Sequence, residues 1–283
     1  MPNLVAQVKR ALSDSDTVLV SDLYDAKFCT PAETVSLLHF DDTDNPLKDE
    51  CGNIWKALNS DTLSITSDNA KFGKALFING TLGISRNGGI TLGGKDFTID
   101  GWHYLTKTAE QFTSFFIFYN FNSSSNTYTD RIYLIRAYNI SSGYQLGVEV
   151  GNGPSIYPNF SVPSFYNNFV HFAVVYEHQN SVIKVYANGI LKASASITIP
   201  ATKYEFAFVG PGSLNSPKLY GTIDEFRVVD GQALWTKNFT PPTEPYKLVD
   251  GHIPVKIKGS TQKLWMPFNF IKTDLTVADS DTT

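Results

Sequence analysis

The sequence predicts an all-β fold in which two antiparallel sheets pack face to face, and three observations lead there. From Thr34 onward, short apolar runs alternate with Gly, Asn, Asp and Pro, the punctuation of strands and turns. No helical period separates these runs, and parallel sheets would need crossover helices. Aromatic residues make up 13% of the chain, with 20 Gly against only 2 Met, which suits pleated strands and many turns better than a helix bundle.

Taken in order, the chain opens with Leu4, Val8 and Leu12 at a spacing of four, with Asn3 where an N-cap belongs. This predicts a short N-terminal amphipathic helix within an extension, residues 1–33, whose apolar stripe packs on the main domain or docks on another chain. The strand runs follow at Thr34–Phe40, Thr62–Ser67, Ala75–Ile78, Phe97–Leu105, Thr113–Tyr119, Arg131–Tyr138 and Tyr144–Val150. They resume at Phe169–Glu177, Val182–Ala187, Ile190–Ser194, Phe206–Val209 and Leu219–Val228. Gly88-Gly89 and Gly93-Gly94 read as turn glycines. Asn188-Gly189, set between two β-rich runs, predicts a type I′ hairpin, because this pair tolerates the positive backbone angles such a turn needs. The adjacent Pro241 and Pro242 mark the close of the sandwich by Tyr246. Residues 247–283 carry Ile253, Val255, Ile257, Trp265, Phe268, Phe270 and Ile271, too few for a separate core and too apolar for a solvated linker. They are expected to lie along a surface of this chain or a partner.

Charge and cysteine content narrow the function. With 23 Lys and Arg against 27 Asp and Glu, the net charge of -4 provides no basic field for nucleic acid or anionic lipid. No window approaches the ~18 apolar residues of a membrane helix. Met1–Leu12 lacks the apolar core of a secretory signal. Cys29 and Cys51 are too few for a disulfide framework or a multi-cysteine zinc site, and two reduced, buried thiols are the expectation.

Several segments together resemble a known family. Leu37-Leu-His-Phe-Asp-Asp42 is similar to an opening strand, and Asn69-Ala-Lys-Phe-Gly-Lys-Ala-Leu-Phe77 to the approach to the next. Asp96-Phe-Thr-Ile-Asp-Gly-Trp102 ends on a core aromatic, and Phe169–Tyr176 followed by Ile183–Leu191 carries the hairpin. Gly221-Thr-Ile-Asp-Glu-Phe-Arg-Val228 is similar to a closing strand. In this order they resemble the concanavalin A-like superfamily, in its laminin-G-type (LamG) jelly-roll form, over residues 34–246. The segment Leu234–Tyr246 is similar to the tail of the version found in phage structural proteins. The resemblance implies a concanavalin-like jelly-roll sandwich and a structural calcium ion clipping the opening strand to the closing one. It points to Asp224 as a ligand, with Asp41 and Asp42 opposite; an exposed turn acid or a helper in sheet-end hydrogen bonding is the alternative.

Catalytic signatures are missing. Glucanases of this fold use carboxylates facing one cleft about 5 Å apart, but Asp41-Asp42-Thr-Asp44, Asp49-Glu50 and Asp224-Glu225 do not alternate three acids along a strand. The five histidines lack zinc spacing, and those within strand runs (His39, His103, His171) are expected to be hydrogen-bonded structural residues. Two segments have the aromatic and Asn composition of glycan-binding loops, Asn120–Thr129 and Gly151–Asn168. Tyr128, Asn152, Tyr157, Asn159 and Tyr166 are the candidate contacts, although Tyr157, Phe160 and Phe165 folding inward would explain the second segment without a ligand. The expectation is a non-catalytic binding or structural module of a phage virion, assembled in the host cytoplasm, held to other virion proteins by its terminal segments and carrying a carbohydrate site. A free or cell-surface lectin is the alternative, and a glycoside hydrolase stands behind both.

Overall fold

The computed structural model describes residues 34–58, 63–81, 83–106, 112–122, 124, 127–140, 143–150, 155–156, 159–160, 167–209, 219–246, 252–256 and 263–267. The expected N-terminal helix and Cys29 lie outside these residues. Every strand pairing among them is antiparallel. Sheet one runs in the order β14 (Ile190–Ser196), β13 (Val182–Ala187), β12 (Phe169–Glu177), β6 (Phe97–Leu105), β16 (Leu219–Asp230), β4 (Ala75–Thr81) and β3 (Leu63–Thr66), with β1 (Thr34–Leu38) also on β16. Sheet two runs β10 (Ser155–Ile156), β9 (Gly143–Val150), β8 (Thr127–Ile140), β7 (Phe112–Asn122), β15 (Thr202–Val209), β5 (Ile84–Leu92) and β2 (Lys56–Ala57), with β11 (Asn159–Phe160) also on β9. A separate ribbon pairs β17 (His252–Lys256) with β18 (Lys263–Pro267).

The alternation of side chains along each strand builds the core. On β6, Phe97 and Ile99 enter the central cluster while Thr98, Asp100 and Trp102 take the opposite face; on β12, Val170, Phe172, Val174 and Tyr176 point inward and His171, Ala173 and Val175 outward. Sheet two answers with Ile84, Ile90, Phe116, Phe118, Ile132, Val148, Tyr204 and Val209. Phe226 ties the layers, edge-on to Trp55 at 5.6 Å and 4.8 Å from Phe116. The indole N–H of Trp55 donates to buried Asp49, which also accepts the Ser36 hydroxyl.

The Asn188-Gly189 turn is present as predicted, with φ of 50° and 75° joining β13 to β14. Three local expectations need correction. Gly88 and Gly89 lie inside β5, where Tyr204 faces Ile90 and Phe206 faces Asn87; the extra residues form a bulge, not a turn. Cys51 is disulfide-bonded, not a free thiol. Spacing along the chain carried no distance information here: Glu50 N–H bonds the Leu37 carbonyl, bringing Cys51 to 3.4 Å from the Thr34 oxygen. His103 is the third. It is buried among Phe115, Phe116 and Phe172, and neither ring nitrogen has a partner.

Burial pushes the His103 imidazole down from 6.5 to about 3. The folded state therefore binds no proton where the unfolded chain does, and stability is lost as pH falls from 6.5 through the folded value. His103→Leu is expected to stabilise by about 1 kcal/mol, by removing an unsatisfied donor, and to flatten that acid limb in urea denaturation between pH 7 and 4. An unchanged acid limb would show that His103 does not set it.

Candidate functional site

The two outward faces of the sandwich differ. On sheet one, residues 231–246 form a strap. Trp235 and Phe239 stack at 3.9 Å and, with Ala233, cover Ala173, Val175 and Tyr186. Phe239 N–H bonds the Gly189 carbonyl, and a Cβ at Gly189 would meet the Phe239 oxygen at 1.8 Å, so the hairpin glycine serves the strap as well as the turn.

Beneath the end of the strap lies a polar network. Arg227 donates through Nε and a terminal nitrogen to both Asp100 oxygens at 3.0 Å. His171 Nε2 is 3.2 Å from Asp100 and 2.6 Å from the Tyr246 hydroxyl, and the Arg227 guanidinium sits 4.2 Å from the Tyr246 ring centroid. Burial disfavours the charged form of Asp100, but Arg227 and His171 outweigh it and hold the carboxyl below its ordinary value. A bulge in β16 makes room for this cluster, since Asp224 faces Trp102 and Arg227 faces Asp100, leaving Glu225 extra at φ 55°. Its carboxylate accepts the Tyr246 N–H at 2.6 Å and lies 2.6 Å from His39 Nδ1. The His39 pKa is raised: desolvation opposes the charge, and the Glu225 contact overcomes it.

Sheet two turns a different set of residues away from the central cluster, of which Ser85 and Ile117 are buried. Ile132 and Phe118 point into the core, so their neighbours Arg131, Ile117 and Tyr119 take the other face. The register sets Ser85, Phe208, Ile117, Tyr133 and Glu149 in one row across β5, β15, β7, β8 and β9. Asn87, Phe206, Tyr119 and Arg131 form the next row. Arg131 and Glu149 are paired at 3.3 Å, and Tyr119, Arg131 and Glu149 are each partly exposed.

The sequence-derived contact residues are spread along this sheet. Tyr128 stands on β8 opposite Phe121, at the end of the β7–β8 hairpin. Asn159 stands on β11 opposite Gln145, which itself faces Tyr138. Ten residues of β8 separate the two positions, about 30 Å at ~3.3 Å per residue, so they do not share one small ligand. β10 and β11 hold one continuous register on β9, making part of the expected Gly151–Asn168 loop an edge strand. Asn152, Tyr157 and Tyr166 lie outside the described residues.

Two of the three candidate metal ligands, Asp41 and Asp224, meet one loop, residues 67–74. Asp41 Oδ1 accepts the Lys74 N–H, and Asp224 Oδ2 accepts those of Lys71 and Phe72 at 2.8 and 2.9 Å. Asp42 is fully exposed and caps Asp44 and Asn45 in its own turn. Among the described residues, no three His, Cys, Asp or Glu side chains gather as a metal-binding group. Oδ1 of Asp224 is buried without a partner, and desolvation, reinforced by the Glu225 charge against the Phe72 and Lys71 N–H bonds, pushes its pKa up to about 8.

With this geometry in hand, the sequence profile that matches residues 65–235, more than half of the chain, is that of the concanavalin A-like lectin/glucanases superfamily, in its laminin-G form. The chain belongs to that superfamily. Among curated proteins none matches. Among solved structures, this laminin-G-type chain is similar to domain 4 of a GH43 extracellular arabinanase from Geobacillus stearothermophilus, in complex with arabinotriose (21% identity, 71% of this chain, 94% of that one, TM-score 0.52). It is also similar to the receptor-binding domain of botulinum neurotoxin type G (13%, 74%, 49%, 0.47). A third is the CBM40 of Ruminococcus gnavus IT-sialidase, bound to α2,3-sialyllactose (16%, 57%, 91%, 0.42). The chain spans about half the length of the neurotoxin domain. At these identities the likeness is one of fold.

In this laminin-G-type sandwich, sequence reasoning missed the outward rows of sheet two. Alternation in Thr113–Tyr119 and Arg131–Tyr138 held a signal for them, but bulges set which strands bring their aromatics together. The buried network makes a sharper demand. Arg227→Ala leaves Asp100 buried without its main counter-charge and is expected to destabilise by about 3–5 kcal/mol in urea unfolding, whereas the pair of changes Asp100→Asn with Arg227→Met is expected to lose much less.

Proposed function

We propose that this chain is a non-catalytic carbohydrate-binding module whose ligand lies along the outward rows of sheet two. The observation that carries this is the register of sheet two, which sets the positions of Tyr119, Tyr133, Phe206 and Phe208 in two adjacent rows with those of Arg131, Glu149 and Asn87, while the strap covers β12 and β13 of the other sheet. Aromatic faces stack on sugar C–H surfaces, and the polar side chains can bond hydroxyls. Against hydrolysis, the buried carboxylates Asp49, Asp100 and Glu225 are each committed to structural hydrogen bonds, and Glu149 is ion-paired. On a glycan array, Tyr119→Ala and Arg131→Ala are expected to weaken binding at least ~10-fold, the worth of a well-placed contact, with the melting midpoint unchanged. If both bind as wild type while Tyr128→Ala or Asn159→Ala loses affinity, the rims carry the ligand instead.

The virion reading has its own support. In the β17–β18 ribbon, Ile253 pairs with Met266 and Val255 with Leu264, apolar pairings within a two-stranded unit too small to be stable alone. Such a ribbon needs a surface, and we assign it to attachment on a virion or similar assembly. Removal of residues 247–283 is expected to abolish co-sedimentation with the assembly and leave the sandwich folded; an unaffected truncation would favour a free or cell-surface lectin.

A structural calcium ion is proposed at Asp224, on the ground of its unpartnered Oδ1. Millimolar calcium is expected to raise the melting midpoint of the wild type and leave that of Asp224→Asn unchanged. Equal responses remove the ion from this site.

A further inference from the structure

We infer that the outward face of sheet one carries a second ligand site, an aromatic cage for a small organic ammonium ion bearing an oxygen, closed in this conformation by the Lys71 side chain. The site is independent of the glycan reading, because it lies on the opposite sheet.

Its walls come from three places. Trp102 stands on β6, Phe169 on the neighbouring β12, and Phe72 on the loop that Asp224 clamps by accepting the Lys71 and Phe72 N–H groups. Phe72 meets Trp102 edge-on at 6.5 Å. The Lys71 ammonium lies 4.0 Å from the Trp102 centroid, 5.4 Å from Phe169 and 5.7 Å from Phe72. All three are cation–π distances, and Trp gives the strongest face. Among the described residues no carboxylate pairs with the Lys71 ammonium, which lies against the three rings. Lys71, Phe72 and Phe169 are all partly exposed, which leaves the cage reachable and the lysine free to swing into solvent.

A second observation marks the site as incomplete. Trp102 is only 6% exposed, and its indole N–H has no acceptor. A buried donor left unmade is unfavourable, and Lys71, which has only donors, cannot satisfy it. A ligand that replaces the lysine ammonium with its own and places an oxygen against Trp102 Nε1 answers both features. Choline is the simplest such probe.

The test titrates choline into the wild type and Lys71→Met while the Trp102 indole N–H resonance is followed. Saturable shifts are expected in both, with Lys71→Met binding about two- to five-fold tighter, the worth of one exposed cation–π contact that no longer competes. The uncharged analogue 3,3-dimethylbutanol is expected to bind at least ~10-fold more weakly than choline, because it lacks the cation. Tetramethylammonium, which lacks the oxygen, is expected to leave the indole N–H of Trp102 nearly unshifted. No saturable shift in either protein, or equal binding of the neutral analogue, would overturn the site. Melting curves of Lys71→Met check that the cage is intact.

Discussion

The Asp100–Arg227 pair is the constraint on which the outer half of the protein depends. Two full charges stand on the outward face of a sheet, under a strap that keeps water away. Isolated, either would be strongly unfavourable; together they are tolerable only because the guanidinium fork matches both carboxylate oxygens. This fixes the phase of β16 relative to β6, and the Glu225 bulge follows from it, because the strand must also return Phe226 and Val228 to the core. Glu225 then catches the Tyr246 backbone, and the strap is anchored at its far end.

That arrangement divides the labour between the sheets. Sheet one is occupied by its own chain: the strap over β12 and β13, and the 67–74 loop over β6 and β16. Sheet two keeps its aromatic and charged positions in rows across five strands, a surface with rigid spacing suited to an extended ligand. Loops at the rims were the natural place to look for recognition, yet the register gathers aromatic and polar positions on the strands themselves.

The strands legible in the sequence were those with clean alternation. β6, β12 and β13 have the bounds the pattern predicts, and the Asn188-Gly189 turn is where its chemistry requires. β5 was hidden because Gly88-Gly89 looks like a turn when only neighbours in sequence are considered; its strand character comes from pairing with β15, which interprets the glycines as a bulge. β10 and β11 escaped for a related reason, being fragments of two residues each whose identity comes from β9. The acids were visible as acids, but a carboxylate's partner is a matter of distance: Asp224 binds N–H groups more than 150 residues away. The resemblance located the segment ending at Tyr246 without showing that it folds back as a cover.

The central place of β16 bears on how the protein can be made. This strand pairs with β6 along one edge and with β4 and then β1 along the other, so it joins segments from nearly the whole length of the sandwich. A ribosome releases β1 and β4 long before β16 exists. Until residue 230 has emerged, both strands hold open edges, and the apolar faces of sheet one have no fixed register. Folding must therefore wait for the end of the domain, and the nascent chain is exposed to strand-to-strand association through most of its synthesis. The strap, which follows at once, is also the first segment able to seal the sheet that has just closed.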